Sequence, residues 1–560
     1  MVNPKQKGEL LFNLIFTPWC FSIKVGSMRT PILFVSFFLA VAAVIAFLKG
    51  VVPIVVPIIA GVLGILAFKD GLQSKHSILR NFPVLGRLRY FFEMIRPEIH
   101  QYFIESNSDG VPFSRELRSI VYQRAKKQMD SLPFGTQKDV YAPGYEWLNH
   151  SIAPKHVDKH LRFKIGGENC LQPYDCSLIN IGAMSYGSLS RTAISALNEG
   201  AKLGQFAHNT GEGGVSPYHL DPGGDLIWQI GTGYFGCRAA DGGFDLERYK
   251  KTVDSPHIKM VELKLSQGAK PGHGGILPGK KVSPEIAKIR GVEVGKSVLS
   301  PPYHQAFQTP LELCHFIQTL RENCGGRPVG IKLCIGRRHE FICLAKAMIA
   351  TKIYPDYICV DGGEGGTGAA PLEFSNHLGF PLIDGLSFVH SVLRGYNLRS
   401  KIKIIASGRA VTGFQVIKFL ALGADGVYMS RAMMLALGCI QALKCNANDC
   451  PTGVATQDPK FYKGLVVKDK KLRVAQFHGE TMDSVCHMLG AMGVDHPDQL
   501  VPHMIMRRYD HSTVHTYEHL FPTVAINSFI DDPASIPQEI SRMIQLTTAK
   551  DFNVHYEKTR

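Results

Sequence analysis

Residues 402–431 read IKIIASGRAVTGFQVIKFLALGADGVYMSR, and this stretch decides the fold. Short runs rich in β-forming residues, at Ile402–Ser407 and Asp425–Met429, flank a segment with helical periodicity at Phe414–Leu422. Strand, helix and strand in so short a span is the pattern of a βαβ unit, whose two strands lie parallel. The stretch therefore predicts a parallel sheet covered by helices, the α/β class.

The same alternation continues upstream of this unit. Six more strands are predicted, at Leu178–Ala183, Phe206–Asn209, Ile227–Gly231, Met260–Leu265, Val329–Leu333 and Tyr357–Asp361. Further helical periodicity is clear at Arg191–Leu203, Pro310–Asn323 and Glu340–Ala350. Eight strands joined by helices predict a closed (β/α)₈ TIM barrel.

Ligands of such barrels bind at the carboxyl ends of the strands, and phosphate is often held after strands seven and eight. Arg409 and Arg431 stand beside small residues that end or follow the last three predicted strands, at Gly362, Gly363, Gly365, Gly366 and Thr367, at Ser407 and Gly408, and at Ser430. The small residues let backbone N–H groups approach phosphate oxygens. Lys332 lies near the end of strand five, where it either meets an anionic ligand or reaches the surface.

Three motifs resemble the FMN domain of glutamate synthases. They are GAMSYGSLS at 182–190, NTGEGG at 209–214 and KLSQGAKPGHGG at 264–275. The resemblance covers about residues 150 to 460, and the hydrophobic N-terminus is similar to the stand-alone, membrane-anchored branch of that family. It implies an FMN-linked oxidoreductase barrel. FMN would be bound by Ala183, Met184, Ser185, Thr210, Gln229, Lys332 and the three loops above.

The resemblance also implies a reaction. Ammonia and 2-oxoglutarate form 2-iminoglutarate, which reduced FMN converts to L-glutamate. Lys264, Lys270, Arg290 and Gly268 match positions that bind the oxo-acid. Lys270 and Glu212 match the catalytic positions, although Glu212 could equally form a surface ion pair. Two departures from the family pattern weaken the assignment of these roles: Ile276 stands where a Gln is usual, and His273 replaces an acidic residue.

Three cysteines, Cys439, Cys445 and Cys450, follow a C-x₅-C-x₄-C-P spacing. Thiolates so close in sequence can bind one cluster, and a trailing proline is common in iron–sulfur motifs. Three ligands favour a 3Fe–4S cluster, which the resemblance also implies, as a relay of single electrons to FMN. A zinc ion with a remote fourth ligand is the alternative.

Residues 231–236, GTGYFG, satisfy the dinucleotide-binding fingerprint. No clear helix and second parallel strand follow them, so we predict no NAD domain here. Electrons would come from a separate donor, a ferredoxin or an NAD(P)H-oxidising protein. Ammonia would come from solution or from a separate glutaminase, because no cysteine glutaminase domain precedes the barrel motifs.

Pro31 to Leu48 and Val51 to Phe68 are uncharged runs separated by Lys49-Gly50. As helices, each would span about 27 Å, enough for a thin hydrocarbon core. They predict a transmembrane hairpin, with Pro53 and Pro57 kinking the second helix; a buried core hairpin is the alternative. Basic residues flank both ends, so the positive-inside rule places the catalytic body on the cytoplasmic side.

The net charge is +15, and nothing in the sequence resembles a nucleic-acid-binding motif, so the basic excess fits a membrane and acidic substrates. The predicted organisation is a cytoplasmic segment at 1–30, two transmembrane helices at 31–68, a basic helical connector at 69–150, the barrel with its iron–sulfur site at 151–460 and a mixed helical tail at 461–560.

Two other functions fit the same motifs. The chain could be a membrane-associated FMN dehydrogenase that oxidises an amino or hydroxy acid and passes electrons to quinone. It could also be an assembly subunit with a silent site, against which the cysteines and phosphate loops argue. Bleaching of the flavin by an amino or hydroxy acid would distinguish the dehydrogenase from a synthase. A colourless purified protein would favour the assembly subunit.

Overall fold

The computed structural model describes residues 29–128, 131, 133–168 and 170–554. Within them the chain forms two compact units, one up to Arg115 and one from Glu116. The boundary falls inside the predicted connector. Of the predicted N-terminal segment 1–30, all but the last two residues lie outside the described part of the chain.

The first unit is helical. Its helices are α1 Arg29–Leu48, α2 Val55–Leu72, α3 Ser77–Asn81 and α4 Gly86–Ile99, and α4 continues as a π-helix at His100–Ile104. Helices α1 and α2 are long and apolar enough to cross a membrane. The predicted kink in the second helix is wrong. Helix α2 begins after Pro53, and Pro57 lies in its first turn. The N–H groups of a first turn have no partner within the helix, so the N–H that proline lacks is not needed there.

The second unit contains all the strands that the described residues form. They are β1 Glu146–Leu148, β2 Arg162–Ile165, β3 Tyr174–Ser177, β4 Ile179–Ile181, β5 His208–Asn209, β6 Leu226–Ile230, β7 Ile258–Lys264, β8 Ile276–Leu277, β9 Val298–Leu299, β10 Val329–Leu333, β11 Tyr357–Asp361, β12 Lys403–Ser407, β13 Gly426–Met429, β14 Ile505–Arg508 and β15 Val514–Thr516.

Eight of these strands close a barrel in the order β4, β5, β6, β7, β10, β11, β12, β13. Every neighbouring pair is parallel, and closure comes from β13 beside β4, where Val427 lies opposite Ile179. The predicted (β/α)₈ barrel is confirmed, with each predicted strand in its place. Antiparallel strands β2 and β3 precede the barrel, and β1, β14 and β15 form a separate three-stranded sheet.

The helices of this unit cover the barrel and its ends. They are α5 Arg115–Ala125, α6 Arg191–Gly204, α7 Pro217–Leu220, α8 Leu246–Val253, α9 Pro284–Arg290, α10 Pro310–Glu322, α11 Arg338–Thr351, α12 Leu372–His377, α13 Leu382–Gly395, α14 Gly413–Ala421, α15 Arg431–Leu437, α16 Pro459–Tyr462, α17 Val467–Ala491, α18 Tyr517–Leu520, α19 Ser528–Asp531 and α20 Gln538–Leu546.

Local sequence explains where the barrel helices start. Ser190 caps α6 by accepting a hydrogen bond from the backbone N–H of Ala193. At α14, Thr412 and Gln415 form a capping box, in which each side chain accepts from the other residue's backbone N–H. Each cap fixes the residue at which the loop ends and the helix begins. The carboxyl ends of β4 and β12 therefore lead through defined loops into the site.

The barrel interior is apolar at its amino-terminal end and polar above it. Buried residues there include Ile227, Met260, Cys359 and Ile405, with the rings of Tyr357 and Tyr428 beside them. Because large side chains fill the lower layers, space for a ligand exists only near the carboxyl ends of the strands.

Candidate active site

The residues predicted from sequence to form the site lie on the carboxyl-terminal side of the barrel. Loops after β4 and β5 carry Ala183, Met184 and Ser185, and Thr210 and Glu212. Gln229 lies on β6 and Lys332 on β10, while Lys264 ends β7 and is followed by Gly268 and Lys270. The last three loops carry Gly362, Gly363, Gly365, Gly366 and Thr367, then Ser407, Gly408 and Arg409, then Ser430 and Arg431.

Three buried cations face one carboxylate. Lys264, Lys270 and Arg290 expose only 7, 3 and 5% of their surface. The Nζ of Lys264 lies 2.9 Å from Oε2 of Glu212. Lys270 donates through Nζ to the carbonyl of Ala369 at 2.9 Å. The structure thus brings together the predicted substrate cations and Glu212, with more positive than negative charge among them.

Burial and mutual charge set the protonation of this group. Burial lowers the pKa of Lys270 to about 8, against the opposing effect of Glu212. Burial also lowers the pKa of Arg290 to about 10. For Glu212, burial is the largest effect and acts to raise the pKa, but the charge and hydrogen bond of Lys264, together with the charges of Lys270 and Arg290, lower it overall. At neutral pH the group is therefore three cations and one anion.

Arg290 has an unused donor. Its Nη2 donates to the carbonyl of Tyr186 at 3.0 Å, and its guanidinium lies over the ring of Phe235. Its Nε is buried, and no described residue accepts a hydrogen bond from it. A buried donor left unpaired costs about 1–3 kcal/mol, which an anionic ligand would offset. The group as a whole suits a ligand with two negative charges.

His304 and Tyr234, which sequence reasoning missed, hold the backbone of Lys264. His304 Nε2 lies 2.8 Å from the carbonyl oxygen of Lys264, which can only accept, so Nε2 carries the proton. Nδ1 then accepts from the hydroxyl of Tyr234 at 3.1 Å. Burial lowers the pKa of His304 to about 4, so the ring stays neutral. Only the folded chain joins residues so far apart in sequence.

Asp361, which was also missed, joins three parts of the site. One of its oxygens accepts from the hydroxyl of Ser407 at 2.6 Å, and the other accepts from the backbone N–H of Gly268 at 2.8 Å. Its carboxylate also lies 3.5 Å from Nζ of Lys332. Burial acts to lower the pKa of Lys332, but Asp361 and its neighbours raise it overall. Lys332 is therefore a permanent cation inside the barrel mouth.

Glu262 holds Gln229 from below. It is fully buried, and its carboxylate accepts hydrogen bonds from Gln229 at 2.6 Å and Asn209 at 2.9 Å. The hydroxyl of Tyr428 donates to its other oxygen at 3.2 Å. These bonds fix the side-chain amide of Gln229, whose position at the third strand was predicted to contact FMN.

Two arginines converge at the loops after the last two barrel strands. Burial and the nearby charge of Arg409 lower the pKa of Arg431 to about 10. Arg431 donates to the carbonyl of Glu364 at 2.5 Å. Gly366 lies so close to Arg431 that a Cβ there would come within 2.8 Å of Cδ. Like charges brought together beside small residues suit a phosphate group.

The three predicted cluster cysteines lie in one segment after α15. Burial raises the pKa of the Cys439 thiol to about 12, and the charges of Cys445 and Cys450 act on it in the same direction, so the three thiols are neighbours. Among the described residues, no three His, Cys, Asp or Glu side chains are grouped to bind a single metal ion. In an iron–sulfur cluster each thiolate binds a separate iron, so its ligands lie farther apart.

Comparison with known proteins identifies the family. Residues 149–495 match the family described as "Conserved region in glutamate synthase". The glutamate synthase large subunit-like protein YerD of Bacillus subtilis is 38% identical over 85% of this chain and 97% of its own length. The archaeal-type glutamate synthase [NADPH] of Thermotoga neapolitana is 36% identical in an alignment that covers 56% of this chain and 59% of that enzyme.

Further matches agree. The archaeal glutamate synthase [NADPH] of Methanocaldococcus jannaschii is 36% identical over 64% of this chain and 66% of its own length. Among solved structures, a flavocytochrome b2 mutant with benzoylformate aligns over 80% of this chain at 14% identity and a TM-score of 0.40, too weak a likeness to carry an argument. From the match over residues 149–495 and the extent of the alignment with YerD, we conclude that this chain belongs to the glutamate synthase family of oxidoreductases.

Proposed function

We propose that the protein is a glutamate synthase-like enzyme that reductively aminates 2-oxoglutarate to L-glutamate. The observation that carries the proposal is the buried group of Lys264, Lys270 and Arg290 around Glu212. Its two excess positive charges match the two carboxylates of 2-oxoglutarate. The names of the matched relatives support the same reaction.

In this proposal the residues of the site bind the substrate and control its protons. Ammonia adds to the keto carbon and water leaves, which gives 2-iminoglutarate. Glu212 is ionised and lies beside Lys264, so it can accept a hydrogen bond from the incoming ammonia and take up a proton. Lys270 can return a proton, because its pKa of about 8 lies close to neutrality. The carbon–nitrogen double bond then remains to be reduced.

FMN, when bound, would supply the hydride for that reduction. The loops after β11, β12 and β13, with Arg409 and Arg431, would hold its phosphate, and Lys332 would meet the electron-rich edge of the ring. The paired guanidinium groups and the raised pKa of Lys332 support these assignments. Asp361 and Glu262 would position Lys332 and Gln229 from behind.

We further propose that Cys439, Cys445 and Cys450 would hold a 3Fe–4S cluster, which would supply a relay of single electrons when bound. Electrons would reach it from a separate ferredoxin or NAD(P)H-oxidising protein. The mutual influence of the three thiols supports the assignment. Replacing Cys445 with Ala should remove the cluster signal in electron paramagnetic resonance, whereas the buried, unrelated Cys486→Ala variant should keep it. An unchanged spectrum in Cys445→Ala would exclude these ligands.

Helices α1 and α2 form, in this proposal, a transmembrane hairpin with the catalytic unit on the cytoplasmic side. None of the residues of α1 is buried, and most of its large apolar side chains are exposed. Water disfavours so much apolar surface, whereas a lipid bilayer accommodates it.

The reaction is tested by reducing the purified protein without oxygen and following flavin reoxidation. Reoxidation by 2-oxoglutarate with ammonium, and not by either alone, is the expected result. Other oxo-acids in the panel define the specificity. An amino or hydroxy acid could instead bleach the oxidised flavin. If 2-oxoglutarate and ammonium do not reverse that bleaching, the proposal is contradicted and a dehydrogenase is favoured.

A further inference from the structure

An apolar stripe on the first unit is exposed. Helix α4 and the π-helix after it form one continuous helical segment, 86–104. Leu88, Phe91, Phe92 and Ile99 recur at helical spacing, so they share one face, and Phe103 follows on the same side. Their exposed fractions reach 59% at Phe92 and 84% at Phe103. A contiguous exposed apolar face of this kind marks an interaction surface.

The opposite face is polar and mainly basic. Arg89, Glu93, Arg96 and His100 lie together on it at helical spacing. From Gln73 to Ile104, five basic residues, Lys75, Arg80, Arg87, Arg89 and Arg96, stand against two acidic ones, Glu93 and Glu98. An amphipathic helix with aromatic residues on one side and arginines on the other is typical of segments that lie in a membrane interface.

The start of this helix is fixed to the end of α2. Asp70, in the last turn of α2 and almost fully buried, accepts from Arg87 Nε at 2.8 Å and from Arg87 Nη2 at 2.6 Å. It also accepts from the backbone N–H of Val84 at 3.1 Å. Two parallel bonds to one guanidinium restrict the relative orientation of the two segments. If α2 crosses a bilayer, Arg87 therefore lies at the bilayer surface.

We propose that residues 86–104 form an interfacial helix that lies in the headgroup layer of the membrane holding α1 and α2. Leu88, Phe91 and Phe92 enter the acyl boundary, and Arg89 and Arg96 face lipid phosphates. The inference rests on the proposed transmembrane hairpin. A lipid surface fits better than a second copy of the chain, because the helix starts at the end of a membrane span and its charge complements anionic lipids.

The test uses the full-length protein in vesicles of phosphatidylcholine and phosphatidylglycerol, with or without bromine on the acyl carbons nearest the headgroup. Bromine quenches tryptophan fluorescence on contact. In Phe91→Trp the new tryptophan lies on the apolar face, and in the matched control Glu93→Trp it lies on the polar face, two residues farther along the helix. Fluorescence is taken as the difference from the parent protein, which has its own tryptophans.

We expect at least about fivefold more quenching in Phe91→Trp than in Glu93→Trp, because the two faces of a helix are separated by about 10 Å. Equal quenching in both variants, or none in Phe91→Trp, would overturn the inference. Chemical cross-linking between copies through this helix, without quenching, would identify a second chain as the occupant.

Two further readouts keep the proposals separate. Release of the protein from vesicles by alkaline carbonate would show that the hairpin does not span the membrane. Retention without quenching would leave the hairpin intact and contradict only the interfacial helix. Flavin reoxidation by 2-oxoglutarate and ammonium tests the catalytic proposal in the same preparation and depends on neither result.

Discussion

At the scale of single residues, Asp361 connects the parts of the site. Its carboxylate accepts hydrogen bonds from the hydroxyl of Ser407 at the end of β12 and from the backbone after β7, and it faces the buried cation on β10. The charge of Lys332 is tolerated inside the barrel because this anion faces it, since an unpaired buried charge is expensive.

Replacing Asp361 with Asn should destabilise the catalytic unit. The amide keeps a similar shape but loses the negative charge, so the buried cation of Lys332 is left uncompensated, at a cost of about 3 kcal/mol. Thermal unfolding of the flavin-depleted protein measures the loss as a lower Tm. The double variant Asp361→Asn with Lys332→Met, which removes both charges, should recover part of it. A double variant no more stable than the single one would contradict this account.

The protonation of Lys270 predicts a pH profile for substrate capture. Its pKa of about 8 means that the side chain is charged below this pH and neutral above it. kcat/KM for 2-oxoglutarate, which reports the free enzyme, should therefore fall as pH rises through about 8. Free ammonia must be held constant, because its fraction rises over the same range. In Lys270→Arg the fall should move to higher pH; an unmoved fall would assign it to another group.

Sequence reasoning found the residues of the site that lie in recognisable motifs and missed those that act through distant partners. Lys264 and Glu212 could be predicted, each from its own motif. Asp361 precedes glycines and resembles an ordinary residue at a strand end, because its partners at 268, 332 and 407 come together only in the folded barrel. Sequence reasoning missed Glu262 and His304 for the same reason.

At the scale of elements, the barrel strands could be predicted because each is a short apolar run between turn signals. The predicted Tyr357–Asp361 and Val329–Leu333 agree with β11 and β10 at both ends. The sheet of β1, β14 and β15 could not be predicted, because Glu146 pairs with Arg507 across a separation of several hundred residues. Nothing local marks such short strands.

The loops after β7 and β11 approach each other so closely that one glycine is required. A Cβ on Gly268 would lie only 1.5 Å from the carbonyl oxygen of Gly362. Gly268→Ala should therefore push the two loops apart and break the bond from Gly268 to Asp361. Because small displacements of substrate-positioning groups are costly, kcat/KM should fall about 100-fold.

The control for Gly268→Ala is Gly336→Ala, in the loop after β10. No atom lies within 4 Å of a Cβ built there. Flavin content and steady-state kinetics of both variants, measured beside the parent, give the comparison. Near-normal kinetics in Gly268→Ala would show that the two loops are free to separate.

At the scale of the whole molecule, a helix beyond the predicted barrel completes its packing. The tail was predicted as mixed and helical, without a position. In the structure α17 packs on α6, where Gly200 leaves room for Val474. Nε2 of His478 on α17 lies 3.1 Å from the carbonyl oxygen of Ile179 on the first barrel strand, and the His478 ring stacks on Phe206. Such contacts depend on the closed barrel, so no local pattern could reveal them.

The orientation of the hairpin is also a property of the whole molecule, and it predicts which cysteines a membrane-impermeant maleimide can reach. Basic residues flank both outer ends of α1 and α2, so the turn between them should face away from the cytoplasm. In intact cells Val51→Cys, in that turn, should be labelled. Lys75→Cys, beyond α2, should react only after the membrane is permeabilised, as should the parent protein's own accessible thiols. Labelling of Lys75→Cys in intact cells with Val51→Cys protected would reverse the orientation. If the two variants behave alike, both protected or both labelled, the hairpin does not cross the membrane.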